Sequence, residues 1–431
     1  MSELSSIIKL EKNTIWLIPV LMLWLANSIG FAAEGHWLNA ELQERIDQVR
    51  IDYNLPGVSV SISIPGESTL RNYTSGKTIL DSDNKDEVPN VTILNLFQIG
   101  SITKTFTAAL ILRLEALDLL DIYDPIEKYL PEYPKWGRVT IKQLLNMTSG
   151  IKSYSDEDVK TFWNAVKKDP YKQWTPKSLV SLAYNKKPNT IFKPGKDWNY
   201  SNTNYVLAGI IVEKVTGKSF NEVIKEEILS WDKNKLINTC YLPMPYPEDV
   251  MQRVVHGYNL TEIFPNNTDV TDYNTSWADA AGALVSNSFD LTRFVVDLFS
   301  DKVIPQKQFE EITSLVSAET GKPVIDITEK DGYGLGMDYT YRDNIGPIWY
   351  KNGETSGYNS FFMWLPCLEL AIGITKNNAT DDDGIVDLHS GVLNILLSSQ
   401  EFTDAYNAHV QNHPLPHNCN QVGIKLPMKP K

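Results

Sequence analysis

The sequence predicts an α+β protein in which an antiparallel sheet is built from both chain ends and packed with helices, and a mostly helical region is inserted between those ends. Three observations predict this. Val58-Ser-Val60-Ser-Ile62-Ser-Ile64 alternates strictly, as a half-buried strand does. Strand-like runs return only late, at Tyr333–Met337, Ile348–Tyr350, Ser360–Leu365 and Leu368–Ile374. Between them, from Ser101 to about Asp297, apolar residues recur mostly at helical spacing, with Pro- and Gly-marked loops between segments.

Taken in order, the first segment stands apart from the fold. Lys9 and Lys12 precede an uncharged apolar run from Thr14 to Ala26, and Gly30-Phe-Ala32-Ala33 puts small residues at the −3 and −1 positions of a cut after Ala32. Residues 1–32 are therefore expected to be a signal peptide, which makes the protein secreted or periplasmic. The rival is an uncleaved membrane anchor, because Asn13 to Ala33 carries no charge and is nearly long enough to span a bilayer. The shortness of the strongly apolar part favours cleavage.

Leu38, Leu42, Ile46 and Val49 then keep helical spacing until Leu55-Pro56-Gly57. Pro65-Gly66 turns the first strand toward a second near Thr69 to Thr74, and Asp81 to Glu87 is a charged loop. Within the insert, Leu207–Val215 is stopped by Gly217, and Phe220–Leu229 repeats the pattern. A last helix is expected from about Ile385 to Leu397. One interwoven unit thus covers about residues 35–400, with its sheet part near 35–97 and 330–400 and its helical part near 98–329. Residues 401–431 are expected to be a loose, solvated tail: His409, His413, His417 and Cys419 mimic a metal cluster, but Pro414 and Pro416 break the helix that such spacing needs.

Composition narrows the function. A net charge of −13 argues against a nucleic-acid partner, whose phosphates require a basic surface. No phosphate-cradling loop and no His-Glu-x-x-His occurs, and His256 and His389 stand alone, so no cofactor or metal is expected. Cys240, Cys367 and Cys419 allow one bridge and leave at least one cysteine over.

The chemistry centres on Phe97-Gln-Ile-Gly100-Ser101-Ile-Thr-Lys104, which opens a helix apolar on almost every side. Three residues apart, Ser101 and Lys104 share a face with Cβ atoms roughly 5–6 Å from each other. Ser-x-x-Lys also occurs at Ser6, Ser82, Ser149 and Ser230, but only Ser101 starts a buried helix. Tyr200-Ser-Asn202 lies on a polar loop entering another helix, which Asn202 or Thr203 can cap. Lys351-Asn352-Gly353-Glu354 follows an aromatic strand into a Gly-containing turn, where the glycine permits close approach.

In that order and with long gaps between, the three patches resemble the signatures of the serine β-lactamase and penicillin-binding-protein hydrolases, and within them the D-alanyl-D-alanine carboxypeptidase and class C β-lactamase branch. Asp124-Pro-Ile-Glu-Lys-Tyr-Leu-Pro131, Leu144-Leu-Asn-Met-Thr-Ser-Gly150 and Gly332-Tyr-Gly-Leu-Gly336 add to the likeness, which covers roughly residues 40–400. It implies a β-lactamase/transpeptidase-like fold and an acyl-enzyme hydrolase acting on a small-molecule or peptidoglycan-peptide substrate. The expected variants are a D-alanyl-D-alanine carboxypeptidase, a β-lactamase or esterase, or a penicillin-binding sensor without turnover. A membrane is a partner only if the leader is retained.

Ser101 is then the nucleophile, Lys104 and Tyr200 share the proton work, and Lys351 supplies positive potential near Tyr200. Either the amine is neutral or the phenol is ionised before attack. Asn202 is expected to orient Lys104 and the substrate amide, and the backbone N–H of Glu354 to be the second oxyanion donor. Two positions depart from the branch: Asn352 replaces a hydroxyl residue that helps bind a substrate carboxylate, and Glu354 replaces a small one. A carboxylate facing the cleft repels acidic substrates, so acyl transfer is expected to survive while those substrates become poor.

Overall fold

The computed structural model describes residues 37–80, 88–156, 160–231, 236–241, 245–259, 264–265, 267–379, 384–416, 419 and 422–428; the expected leader and the charged loop 81–87 lie outside them. Eight strands form one antiparallel sheet: β1 (Gly57–Ser63), β2 (Arg71–Gly76), β3 (Val316–Ser317), β4 (Gly332–Tyr333), β5 (Asp338–Arg342), β6 (Gly346–Thr355), β7 (Tyr358–Leu365) and β8 (Leu370–Lys376). Their spatial order is β2-β1-β8-β7-β6-β5-β4-β3, and β1 meets β8 with Val60 opposite Ile374. The two chain ends therefore join inside the sheet, and the α+β reading holds.

Both faces of the sheet are covered. On one side Val58, Val60 and Ile62 of β1 pack with Phe361 and Met363 of β7 against α1 (residues 37–52) and α5 (Ile385–Ser398). On the other, Phe362 and Trp364 join the helical core, in which α2 (Thr103–Ala116), α3 (Asn202–Thr216) and α4 (Ser288–Leu298) meet. Strand β1 was expected to be half-buried and is instead buried on both sides: Ser59 and Ser61 Oγ lie 2.8 and 2.9 Å from Ser288 Oγ, so its polar face is matched to a polar helix start. Helix α3 stops at Gly217, which adopts φ +70°.

Three local expectations fail. Residues 333–337 are not one strand; Gly336 at φ +84° bends the chain between β4 and β5. The Lys351–Gly353 stretch is not a turn, because β6 continues to Thr355 and the reversal falls at residues 356–357. The tail after Thr403 is not loose: α6 (Gln400–Val410) buries Phe402, Thr403 and Tyr406 in the core shared with α1, and Cys367 is bridged to Cys419. The helix does end before Pro414, as proline requires. His409 Nε2 lies 2.7 Å from a carboxylate oxygen of Glu369. Cys240 is the free cysteine. Among the described residues no group of three or more His, Cys, Asp or Glu is placed to hold a metal ion, and no helix is long and apolar enough to cross a membrane.

Phe402 is fully buried, so Phe402→Ala is expected to lower the unfolding free energy by about 3–5 kcal/mol in a denaturant titration. A loss below about 1 kcal/mol would show that the tail is not part of this core.

Candidate active site

Two glycines bring the helix start and the sheet into contact. Gly100 adopts φ +48° in the short 3-10 turn Gly100–Ile102, and a Cβ placed there would lie 2.4 Å from the backbone nitrogen of Glu354. At Gly353 a Cβ would lie 1.9 Å from the Ile99 carbonyl oxygen. Neither position tolerates a side chain while the turn sits on β6. The entry to the turn is fixed from behind, with Phe97 and Gln98 paired to Ser286 and Val285 and Ile99 N donating to Leu284 O at 3.0 Å.

Helix α2 then continues directly from the turn. Its threonines are used as clamps: Thr105 Oγ1 donates to Gly336 O at 2.8 Å and Thr107 Oγ1 to Ala280 O at 2.7 Å. Lys104, between them, is completely buried. Its Nζ lies 2.9 Å from Ser101 Oγ and donates to Ala281 O at 2.8 Å. Tyr200, at the entrance to α3, donates its hydroxyl to the same Ser101 Oγ at 2.7 Å. Lys351 reaches in from β6 with its Nζ 5.2 Å from the centre of the Tyr200 ring, and is paired at 2.7 Å with Asp338 of β5. Lys104 and Tyr200 thus meet on one hydroxyl, with Lys351 and its partner Asp338 beside the phenol.

Their charges are set by burial and by each other. Burial drives the Lys104 amine well below the ordinary lysine value, and the positive charge of Lys351 drives it further, against a weaker pull from Asp338. Burial raises the Tyr200 phenol; Lys351 and the contact with Ser101 oppose this without reversing it. For Lys351 burial acts downward, but Asp338, with help from Tyr200, more than compensates, so its ammonium is held above the usual value. The arrangement combines a low-pKa amine, a retained phenol proton and a fixed positive charge within one water-poor cluster.

The remaining sequence-predicted residues fall nearby. A cavity of about 170 Å³ opens beside Ser101 and is lined by Trp163, Asn202, Trp277, Ala278, Ala281, Gly282, Glu354, Thr355 and Ser356. Asn202 does not cap α3, since Ser201 is the N-cap; its Nδ2 donates to Ser155 Oγ at 2.8 Å, while Lys104 takes the Ala281 carbonyl as its second partner. Glu354 is on the cavity wall, and Asn352, on the same side of β6, is exposed. Sequence reading missed Asp338, Ala281, Trp163 and Trp277. Asp338 is the counter-charge of Lys351, but nothing in the sequence marked it among so many carboxylates.

The family model described as Beta-lactamase matches residues 42–391. The chain is 28% identical over 274 residues to Penicillin-binding protein 4* of Bacillus subtilis (strain 168), covering 62% of this chain and 58% of that protein. It is 31% identical over 351 residues to Protein flp of Staphylococcus aureus (strain N315), covering 79% and 64%. The matched part therefore spans less than two thirds of either relative's own length. Among solved structures, a D-stereospecific amidohydrolase from Streptomyces sp. superposes with a TM-score of 0.67 at 30% identity, covering 82% of this chain and 99% of that one.

Removing the partner of a buried ammonium is costly, so Asp338→Asn is expected to destabilise the protein by about 2–4 kcal/mol at neutral pH, and adding Lys351→Met to recover most of it. Because Lys351 is raised, its contribution is complete below the unfolded-state value near 10.5 and is lost as pH climbs through the folded one. Equal stability of Asp338→Asn and the parent in urea would contradict this reading.

Proposed function

The chain belongs to the beta-lactamase family of serine hydrolases, and from that premise we propose that it is an exported amide and ester hydrolase working through an acyl-enzyme on Ser101. The observation that carries the reading is the double contact on Ser101 Oγ, with an amine of lowered pKa on one side and a protonated phenol on the other. Ser101 attacks the carbonyl carbon and its proton passes to the neutral Lys104 amine. The negative charge that develops on the carbonyl oxygen is met by the backbone N–H groups of Ser101 and Glu354, which the two glycine contacts bring together. The proton returns to the leaving group through the Tyr200 hydroxyl, and a water molecule then repeats the sequence to release the acid. Lys351 keeps the local potential positive throughout.

The amidohydrolase likeness supports D-configured amides as the substrate class, with D-alanyl-D-alanine carboxypeptidase as the mechanistic type. The acidic residue Glu354 where a small one is usual, and the amide of Asn352 where a hydroxyl is usual, favour neutral amides and esters over carboxylate-bearing peptides and β-lactams. Export rests on the apolar leader before residue 33.

A fluorophosphonate is expected to label the protein at Ser101 and to fail with Ser101→Ala; the parent should turn over a neutral ester faster than a chromogenic cephalosporin. Absence of labelling would remove the enzymatic reading, and fast cephalosporin turnover with weak esterase activity would remove the preference.

The pH profile identifies the base. As pH falls, kcat/KM should drop when Lys104 gains a proton, and Lys351→Met should move that limb to higher pH, because a positive neighbour that depresses Lys104 is gone. Tyr200→Phe should lower kcat/KM by about 10²–10⁴-fold while leaving the limb in place. A limb that disappears with the phenol would make Tyr200 the base.

A further inference from the structure

Three side chains in the opening turns of α2 grip a second segment, and that segment is shaped by an aspartate that takes no part in the proton transfers. Thr103 Oγ1 accepts from Leu284 N at 3.1 Å, Lys104 Nζ donates to Ala281 O at 2.8 Å and Thr107 Oγ1 donates to Ala280 O at 2.7 Å. The two carbonyls face the helix because the chain bends sharply just before them. Ala281 N and Gly282 N close the 3-10 turn Asp279–Ala281 onto Ala278 O and Asp279 O at 2.9 and 3.0 Å. Asp279 starts this turn at φ +44°, in the left-handed region that aspartate, asparagine and glycine enter most readily. Its own Oδ1 accepts from Ala280 N at 2.5 Å, so the side chain closes the bend that its backbone begins.

A buried acid is costly unless its oxygens are used. Asp279 is buried against α3, where a Cβ on Gly209 would lie 2.7 Å from Ala280 Cβ and 3.5 Å from Asp279 Oδ1. Burial pushes its carboxyl up to about 7 and Glu213 of the same helix adds to this, while the Ala280 N–H and the Tyr241 hydroxyl act the other way. The Asp279 carboxylate in turn helps to raise the phenol of Tyr154. Glycine would adopt the same backbone angle without burying an acid, so the bend alone does not call for aspartate. What aspartate adds is the acceptor for the Ala280 N–H. We propose that Asp279 is a positioning residue, whose side chain fixes the head of the turn so that the Ala281 carbonyl holds Lys104 Nζ against Ser101 Oγ. This inference rests on the acyl-enzyme reading above. Without the acceptor the turn relaxes, and Lys104 keeps one fixed partner, Ser101, in place of two.

The test uses Asp279→Asn, which keeps the left-handed angle and an oxygen acceptor, and Asp279→Gly, which keeps the angle alone. Hydrolysis of a neutral p-nitrophenyl ester is followed across pH, with the rate of fluorophosphonate labelling of Ser101 as a second measure. Asp279→Asn is expected to match the parent in both rates and in the position of the acid limb. Asp279→Gly is expected to lose about 10- to 100-fold in kcat/KM and in labelling rate, because a displaced amine takes the Ser101 proton poorly. Its acid limb should also move to lower pH, since the Ala281 carbonyl favours the charged form of the amine and that support is gone. A variant that is merely less stable leaves the limb in place. Nuclear magnetic resonance supplies a readout that does not need Asp279→Gly to fold: the Ala280 amide proton should shift as Asp279 titrates near pH 7 in the parent, and not in Asp279→Asn. Parent-like rates and limb in Asp279→Gly, an Asp279→Asn as impaired as Asp279→Gly, or an Ala280 amide that ignores the titration would each overturn the positioning role while leaving the hydrolase standing. A parent that neither labels nor hydrolyses the ester would overturn both.

Discussion

The amine of Lys104 must be dry and within reach of Ser101 Oγ at the same time, and most of the structure around it serves that requirement. A lysine in water stays protonated and offers Ser101 no lone pair. Here the whole side chain is buried within a helix that is itself buried for most of its length, and its nitrogen meets Ser101 Oγ at 2.9 Å and Ala281 O at 2.8 Å. The depressed pKa carries a thermodynamic cost: the unfolded chain binds this proton more readily, so the amine works against stability as pH falls below its unfolded value. A residue selected for stability alone would be apolar at this position.

The sheet and the helical core are held in register by contacts only glycine permits. Gly353 beneath Ile99 and Gly100 beside Glu354 let the helix start rest directly on the backbone of β6, so the nucleophile and the Glu354 N–H are parts of one contact rather than of two domains that drift. The second positive charge is treated differently from the first. Lys351 is given Asp338 at 2.7 Å and stays charged, whereas Lys104 is given a neutral carbonyl and a hydroxyl. Two buried lysines with opposite protonation behaviour follow from that difference in partners.

Much of this was legible in the sequence, and what was not has physical reasons. Alternation at Val58–Ile64 gave a strand, the apolar run after Ser101 gave a buried helix, and Gly217 gave its helix stop, because each is a local signal with one dominant cause. The burial of Ser59 and Ser61 against Ser288 was hidden, since serine looks equally at home in water. The Lys351-Asn-Gly353 stretch looked like a turn because its glycine serves approach by another segment rather than reversal of its own, a distinction only tertiary structure makes. The docked α6 helix was masked by the prolines behind it; Phe402 and Tyr406 carried the amphipathic signal. Asp338, Ala281 and the two tryptophans belong to the site through space alone.

Attack by Ser101 depends on the protonation state of one amine. Nuclear magnetic resonance of the protein labelled with ¹³Cε-lysine, with the Lys104 signal assigned by its loss in Lys104→Met, measures that state directly across pH. Lys104 should lose its proton well below the value near 10.5 at which exposed lysines titrate. A Lys104 signal that titrates together with the surface lysines would contradict it.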